Sequence, residues 1–540
     1  MNIIGKKEID EALRTLKKYK SAKTNLENRI IDNEQWFKMR HNESMRTNGE
    51  QTPASAWLFN SIANKHADAM DNYPEVICLP REESDTPAAK ALTSILPVIF
   101  ERCGFEKIYS DAWWYKLKAG TACYGVFWNP RKCGGLGDIE IRQTDILNLF
   151  WESGIKNLED SSNVFHVELF DNALLKQQYP ALEGKLAGSA VEVARYIYDD
   201  SVDTSDKSAV IDWYYKRRPA GREIVHYCKF CNGTVLYASE NDPQYMLTGF
   251  YSHGRYPFVL DPLFIEEGTP CGFGYTDIMK DAQKQIDALG AAITKNAGMA
   301  ANIRYFINSA GSVNEEEFAD WSNSFVHVNG SNLGEDSLRQ IHISTLPEVY
   351  MRVLEGKIDE LKETSGNRDF SQGSTSGGVT AASAIAALQE AGGKLTRDMV
   401  RGGYRAFTAV NELAIELIRQ FYTEPRAFRI VGPGGEDNYI SYDNALLAAR
   451  GQGEAFGVNM GNRVPVFDIK VRAQKATAFT RLSQNELALQ MYTAGMFNPV
   501  MREQSLIAVD MMDFEGKSAV LERISALKPP AITVPGGDAG

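Results

Sequence analysis

Two one-sided helical patterns, 276–301 and 345–366, enclose a short stretch of strand-like alternation. Any fold of this chain must therefore send a helix out, turn through a small module and bring a helix back. The outgoing segment, "GFGYTDIMKDAQKQIDALGAAITKN", places Ile278, Ala282, Ile286, Leu289, Ile293 and Ala297 on one side among many small residues, a face suited to packing against a copy of itself or a partner helix. The enclosed module predicts a strand at 303–308, a helix capped by Ser312 with Glu315 three residues on, and strands near 325–328 and 340–343. The returning helix opens at Thr345 with Glu348 three residues later, has its apolar positions at Val349, Val353, Ile358 and Leu361, and stops at Gly366.

A Gly/Ser/Thr-rich segment follows, "NRDFSQGSTSGGVTAASAIAALQEAGGK" (367–394). It is not a phosphate cradle. A Walker loop needs Gly, four residues, then Gly-Lys-Ser/Thr, but around Gly393-Lys394 the first glycine position holds Leu388 and the hydroxyl position Leu395. From Val379 to Tyr422 the period is helical, with Gly392-Gly393 and Gly402-Gly403 marking kinks or close approaches. In that stretch Lys394, Arg397, Arg401 and Arg405 fall at steps of three, four and four, which aligns four cations on one helix face. A solvated face or salt bridges to a neighbouring chain account for such a stripe, and so does contact with phosphate.

Upstream, residues 6–38 read as one long amphipathic helix, 52–70 as a second, and 84–104 as a third with Asp85 or Thr86 as cap and Pro87 at the first helical position. A helix over 107–119 runs into a strand at 123–128, and short β patterns continue to about 265. The clearest is a hairpin in 222–240 joined through Asn232-Gly233. Cys228-x-x-Cys231 within it has the spacing of half a zinc site. With no second pair at set spacing, and with residues three apart on a strand pointing to opposite faces, structural cysteines are the reading adopted. After the long helix come a hairpin in 427–443, a strand in 464–474 and a helical region over 478–526.

At 540 residues the chain is too long for one core, and three to four compact units are expected. A formal charge of −12 argues against tight electrostatic gripping of nucleic acid, while leaving room for a chain that handles DNA without holding it. The seven cysteines are odd in number and irregularly spaced, the N-terminus lacks a signal-peptide pattern, and no apolar run approaches the roughly 20 residues that span a bilayer. Synthesis in a reducing cytoplasm and no membrane partner are the expectations. The glycines at 272 and 274 do not make a dinucleotide fingerprint, because Asp277 takes the third position. Seven scattered histidines form no HExxH, HxH or GxSxG arrangement, and clusters such as Glu315-Glu316-Glu317 read as solvated faces. No catalytic residue, metal ligand or cofactor is assigned.

The succession of parts, with the Gly-x-Gly-x-Thr-Asp segment of Gly272 to Asp277 opening a Gln/Asp-containing helix, resembles the portal proteins of tailed bacteriophages over nearly the whole chain. The resemblance implies a non-enzymatic, α+β multidomain subunit. Its parts would be a wing (1–272 and 425–475), stem helices (273–302 and 346–366), a small α/β clip (303–345), a tunnel loop (367–379), a long kinked helix (380–424) and a helical crown (476–540). Arg368, Phe370, Gln372, Ser374, Thr375 and Ser376 would then face the channel, and the stripe of Lys394, Arg397, Arg401 and Arg405 would touch DNA or a neighbouring subunit. The implied assembly is a twelve-subunit ring at the unique capsid vertex, built in the bacterial cytoplasm and kept in the virion. Its implied partners are double-stranded DNA, the large terminase, a head-completion or tail adaptor, and the major capsid and scaffolding proteins. The loop carries little apolar bulk beyond Phe370 and Val379, and the C-terminal region lacks a long coiled barrel, two departures from parts of that family. An oligomeric hydrolase and another viral shell or ring protein stand as alternatives.

Overall fold

The computed structural model describes residues 3–41, 54–186, 191–301, 304–309, 315–320, 322–329, 338–341, 348–366, 394–431, 437–451, 454–455, 458–459, 462–473, 487–512 and 517–527. They form a mixed α+β chain. Helix α1 (Lys6–Phe37) starts where Glu8 reaches back to accept the Gly5 N–H at 3.0 Å. Its first half lies on one face of an antiparallel five-stranded sheet ordered β4 (Leu149–Phe150), β5 (Asn163–Asp171), β6 (Lys207–Arg217), β7 (Ile224–Cys231), β8 (Thr234–Ala238). The period of α1 meets the period of the strands there: Ile9, Ala12, Leu16 and Tyr19 bury against Phe165, Ile211, Trp213 and Phe230. Midway along α1 the alignment takes in a lysine. Lys23 is buried, donates to the carbonyls of Ile146 and Leu149, and is pushed down to about 8 by that burial.

The β7–β8 turn is the hairpin expected at Asn232-Gly233, with φ of +44° and +74°, the left-handed pair that a two-residue type I′ turn requires. The strand between Cys228 and Cys231 separates the two thiols. Cys228 lies in the core beneath α1 and Cys231 on the opposite face with Leu175, Leu182 and Val210. Burial pushes Cys228 up to about 12 and Cys231 to about 11, so both are structural thiols on opposite sides of the sheet.

A second sheet, β3 (Asp138–Gln143), β2 (Thr121–Asn129), β9 (Phe258–Pro262), stacks on the first through Phe127, Phe258 and Tyr214. Its other face carries helices. Phe105 of α4 (Phe105–Ala119), Phe100 of α3 (Thr86–Arg102) and Phe407 of the long helix α8 (Lys394–Phe421) meet there. Helix α2 (Trp57–Met70) and strand β1 (Pro74–Pro80) flank this layer, α5 (Asn172–Gln178) covers β5, and a two-strand ladder of β10 (Phe264–Ile265) and β11 (Gly272–Phe273) leads on. At α3 the expected cap departs in its chemistry. Asp85 stands at the N-cap position without capping, because its buried carboxylate pairs with Arg463 from far along the chain.

Helix α6 (Tyr275–Ala301) leaves the body, and α7 (Glu348–Ser365) packs along it and ends at Gly366 with φ +70°. Between them β12 (Tyr305–Ser309) pairs parallel with β13 (Phe325–Asn329) and antiparallel with β14 (Leu338–Gln340), beside a helical turn at Glu315–Ala319. The Arg304 side chain is buried there and donates to the carbonyls of Glu317, Phe318 and Asn323, which ties the turn to the strands. After α8, β15 (Arg426–Val431) and β16 (Asp437–Tyr442) form the expected hairpin, and β17 (Phe467–Ala473) returns to pair with β1.

Two compact units emerge rather than three or four: 1–70 with 74–472, and 71–73 with 473–540. The reason is the return of the chain. Strand β17 joins β1, and α8 lies on β2, β3 and β9, so distant segments share one body. In the second unit the described helices include 487–493, α9 (Arg502–Met511) and α10 (Lys517–Ser525), with α9 packed on α10.

Candidate functional site

Helix α8 is anchored along its length by an apolar face. Met399, Val400, Phe407, Val410, Leu413, Leu417 and Ile418 are all buried. The fit is closest at Gly403, where an added Cβ would stand 2.7 Å from Cζ2 of Trp113, so the glycine marks a close approach, and the helix runs on through Gly402-Gly403. Beneath the same turn lies a buried ion pair, Lys116 Nζ to Asp261 Oδ1 at 2.7 Å, capped by the Trp113 ring 4.4 Å from the ammonium. Burial pulls the Lys116 ammonium down and the Asp261 carboxylate opposes it.

On the opposite side Lys394, Arg397, Arg401 and Arg405 are all exposed, as their spacing foretold, and none forms an ion pair with a described residue. Further along, Arg419 does pair, with Glu416, and donates to the Pro465 carbonyl. The stripe is therefore a row of cations held on a rigid, deeply seated helix and open to a partner.

The start of α8 is clamped to α2. Lys65, buried, donates to Thr396 Oγ1 at 3.0 Å, and Thr396 donates to Asp68 Oδ2 at 3.0 Å. The end of α7 reaches the same place, for a Cβ at Gly366 would lie 3.4 Å from Leu395 Cδ2 and 3.6 Å from Lys65 Nζ. The residues on either side of 367–393 thus meet at one point. Arg368, Phe370, Gln372, Ser374, Thr375 and Ser376, the six loop residues singled out from the sequence, lie outside the described residues.

Helix α6 is held differently. Its buried residues, Tyr275, Thr276, Met279, Gln283, Ile286 and Asp287, all fall in its first half. Of the expected apolar stripe only Ile286 is among them, and polar groups make the anchor. Asp277 Oδ2 accepts the Gly274 N–H at 2.9 Å, and its Oδ1 takes Asn33 Nδ2 at 3.0 Å. Gln283 accepts the Leu58 N–H and donates to Ser55, while Asp287 accepts from the Ser55 N–H, the Ser55 hydroxyl and Gln283, and meets His41 Nε2 at 3.1 Å. His41 stacks flat on Trp36 at 3.8 Å. Burial pushes the Asp287 carboxyl up, but the hydrogen bonds from His41, Ser55 and Gln283 outweigh it and hold the group below its usual range.

Beyond Asp287, α6 buries no side chain among the described residues, and α7 buries only Leu361 and Ser365, near its return to the body. The start of α7 displays Val349 (57% exposed), Met351 (45%) and Val353 (45%). These anchors escaped the sequence reading because Ser55, Gln283 and Asp287, or Lys65 and Thr396, are brought together only by the fold. The Gln/Asp content of α6 was the one signal available.

The helices α6 and α7, rooted at one end and exposing apolar side chains at the other, and the row of exposed cations on α8 leave surfaces open to other macromolecules. The chain matches the model of the phage P22-like portal protein family over residues 66–536 and belongs to that family: it is a phage portal protein, a structural component of the virion. Among solved structures it is similar to a chain described as "Virion of native gene transfer agent (GTA) particle", at 10% identity, 87% coverage of this chain, 89% of that chain and a TM-score of 0.35. No curated protein matches it.

Proposed function

We propose that twelve copies of this chain close into a ring at the unique vertex of the capsid, forming the channel through which the genome is packaged and later ejected. The observation that supports this reading is the pair α6–α7, rooted by buried polar bonds at one end and exposing Val349, Met351 and Val353 at the other. Side chains of that kind are covered when neighbouring stems stand side by side around an axis. Residues 1–272 and 425–475 form the wing, 273–302 and 346–366 the stem, 303–345 the clip, 367–379 the tunnel loop, 380–424 the long helix and 476–540 the crown.

Arg368, Phe370, Gln372, Ser374, Thr375 and Ser376 then face moving DNA with mainly uncharged groups, and the stripe on α8 meets DNA or the adjacent subunit. A ring of net negative chains holds the duplex loosely, since many phosphate contacts would act as a brake. The ring docks the large terminase, which supplies the ATPase, and then a head-completion or tail adaptor. It assembles with capsid and scaffolding proteins in the host cytoplasm and catalyses nothing itself.

Electron microscopy of the purified chain tests this. End-on views should show closed rings with a hole of roughly 20 Å or more, wide enough for B-DNA. A chain that stays monomeric even when mixed with scaffolding and shell proteins overturns it. Deleting 370–378 should leave rings intact and impair packaging or retention of DNA.

A further inference from the structure

Between the two stacked sheets lies a cavity of about 380 Å³, unrelated to the stem or to the stripe on α8. Its floor is the face of the five-stranded sheet opposite α1, and its roof is formed by Phe127, Trp128, Glu140 and Arg142 of the three-stranded sheet. The volume is that of a site for a small molecule, at the lower end of the usual range of about 300–1,000 Å³.

The charges in it are unevenly satisfied. Asp212 accepts from Tyr227 Oη at 2.6 Å and pairs with Lys229 Nζ at 2.9 Å. Burial would raise the Asp212 carboxyl, and Lys229, His166 and Tyr227 together override it and keep the group ionised. Glu140 holds Arg142 Nε and the Asn129 amide, each at 2.5 Å. Both cations of the cavity are thereby engaged by carboxylates of their own.

Glu168 has no such partner. Its nearest positive or ionisable neighbours are His166 Nε2 at 3.7 Å and Arg142 Nη1 at 4.0 Å, beyond hydrogen-bond distance, and no described residue donates to it. Tyr214, only 4% exposed, lines the same cavity, and its hydroxyl has no hydrogen-bond partner among the described residues. That hydroxyl opens to the cavity space and is free to accept a bond from an occupant. With histidine left out of the count, the lining carries four carboxylates (Glu140, Asp145, Glu168, Asp212) against two cations (Arg142, Lys229), a balance of two negative charges. The rings of Phe127, Phe170 and Phe250 border the same space, the first two with Arg142 and Lys229 already over them at 5.8 and 5.9 Å. A carboxylate without a donor, an acceptor hydroxyl and a negative balance are together the complement of a small organic cation.

We propose that this cavity binds a primary alkylammonium group, with Glu168 as counter-ion and the Tyr214 hydroxyl as acceptor. The group is that of a free small amine or of a lysine side chain presented by a partner.

Isothermal titration of the full-length protein at physiological salt, with 1,4-diaminobutane as probe and 1,4-butanediol as its uncharged match, tests this. The diamine should bind saturably at one site per chain and the diol should not. Glu168→Gln, which keeps the shape and removes the charge, should weaken diamine binding about tenfold or more, and Tyr214→Phe, which keeps the ring, by a smaller factor. Tyr214→Phe also serves as the second variant should Glu168→Gln fail to fold. A parallel titration with Nα-acetyl-lysine amide identifies the source: tighter binding than the diamine points to a partner's lysine, weaker binding to a free amine. Absence of saturable binding, equal binding of the diol, or undiminished binding by both variants overturns the assignment.

Discussion

Helices α6 and α8 are nearly the same length, 27 and 28 residues, and the chain holds them in opposite ways. Helix α8 is gripped from end to end by apolar contacts, each large buried side chain contributing about 1.5–3 kcal/mol, and its outward side carries Lys394, Arg397, Arg401 and Arg405 with the acidic Asp398 exposed among them. Helix α6 is buried only at its root, where hydrogen bonds to Asp277, Gln283 and Asp287 join the buried Tyr275, Met279 and Ile286, and beyond the root it packs along α7. Apolar burial is non-directional and makes a rigid spine, whereas a cluster of directional bonds fixes the angle at which a helix leaves the body. The start of α7, beside the outer part of α6, leaves Val349, Met351 and Val353 exposed.

The largest effect expected from this contrast is on assembly. Charging the displayed face with Met351→Glu and Val353→Glu should abolish ring formation in electron microscopy while leaving the thermal unfolding of the isolated chain almost unchanged. Rings formed as by the wild type would show that this face is not buried between subunits. Next, Asp261→Ala under α8 strands a buried ammonium and should cost about 3–5 kcal/mol in denaturant unfolding. A loss under about 1 kcal/mol would mean that water relieves Lys116.

At the root of α6, Asp287→Ala leaves several donors without an acceptor and should cost about 1–3 kcal/mol. This loss has a pH signature with a definite sign. Because the folded carboxyl lies below its unfolded value of about 4, its stabilisation is complete above that pH and fades as the pH falls through the lower, folded value. The gap between wild type and variant, followed by unfolding at a series of pH values, should therefore be full at neutrality and close toward strong acid. A gap independent of pH would assign the loss to packing. The smallest effect on stability, within about 0.5 kcal/mol, is expected for Arg397, Arg401 and Arg405 replaced by Gln. The same triple variant should alter subunit contacts or DNA retention, and unchanged assembly and packaging would reduce the stripe to a solvated face.

Much of the architecture could be read before the fold was known. The extent of α1, Pro87 at the start of α3, the Asn232-Gly233 turn, the order of strands enclosed by α6 and α7, and the cationic face of α8 all depend on near neighbours in sequence. The six loop residues between Arg368 and Ser376 lie outside the described residues, so their proposed place rests on the family and not on geometry. Nothing near them in sequence marks Lys23, Lys65, Lys116, Asp261 or Asp287 as buried, because partners that hold them lie more than a hundred residues away along the chain.

What the sequence determined by itself is local: periodicity chooses helix or strand, and Gly, Pro and Asn place the turns, because these effects act over a few residues. What the tertiary structure alone decided is which charges are buried and with whom. Lys116 meets Asp261 across 145 residues, and Ser55 meets Asp287 across 232. A buried charge is tolerated only where its partner stands within hydrogen-bond reach, and that reach is a distance in space that no spacing along the chain encodes.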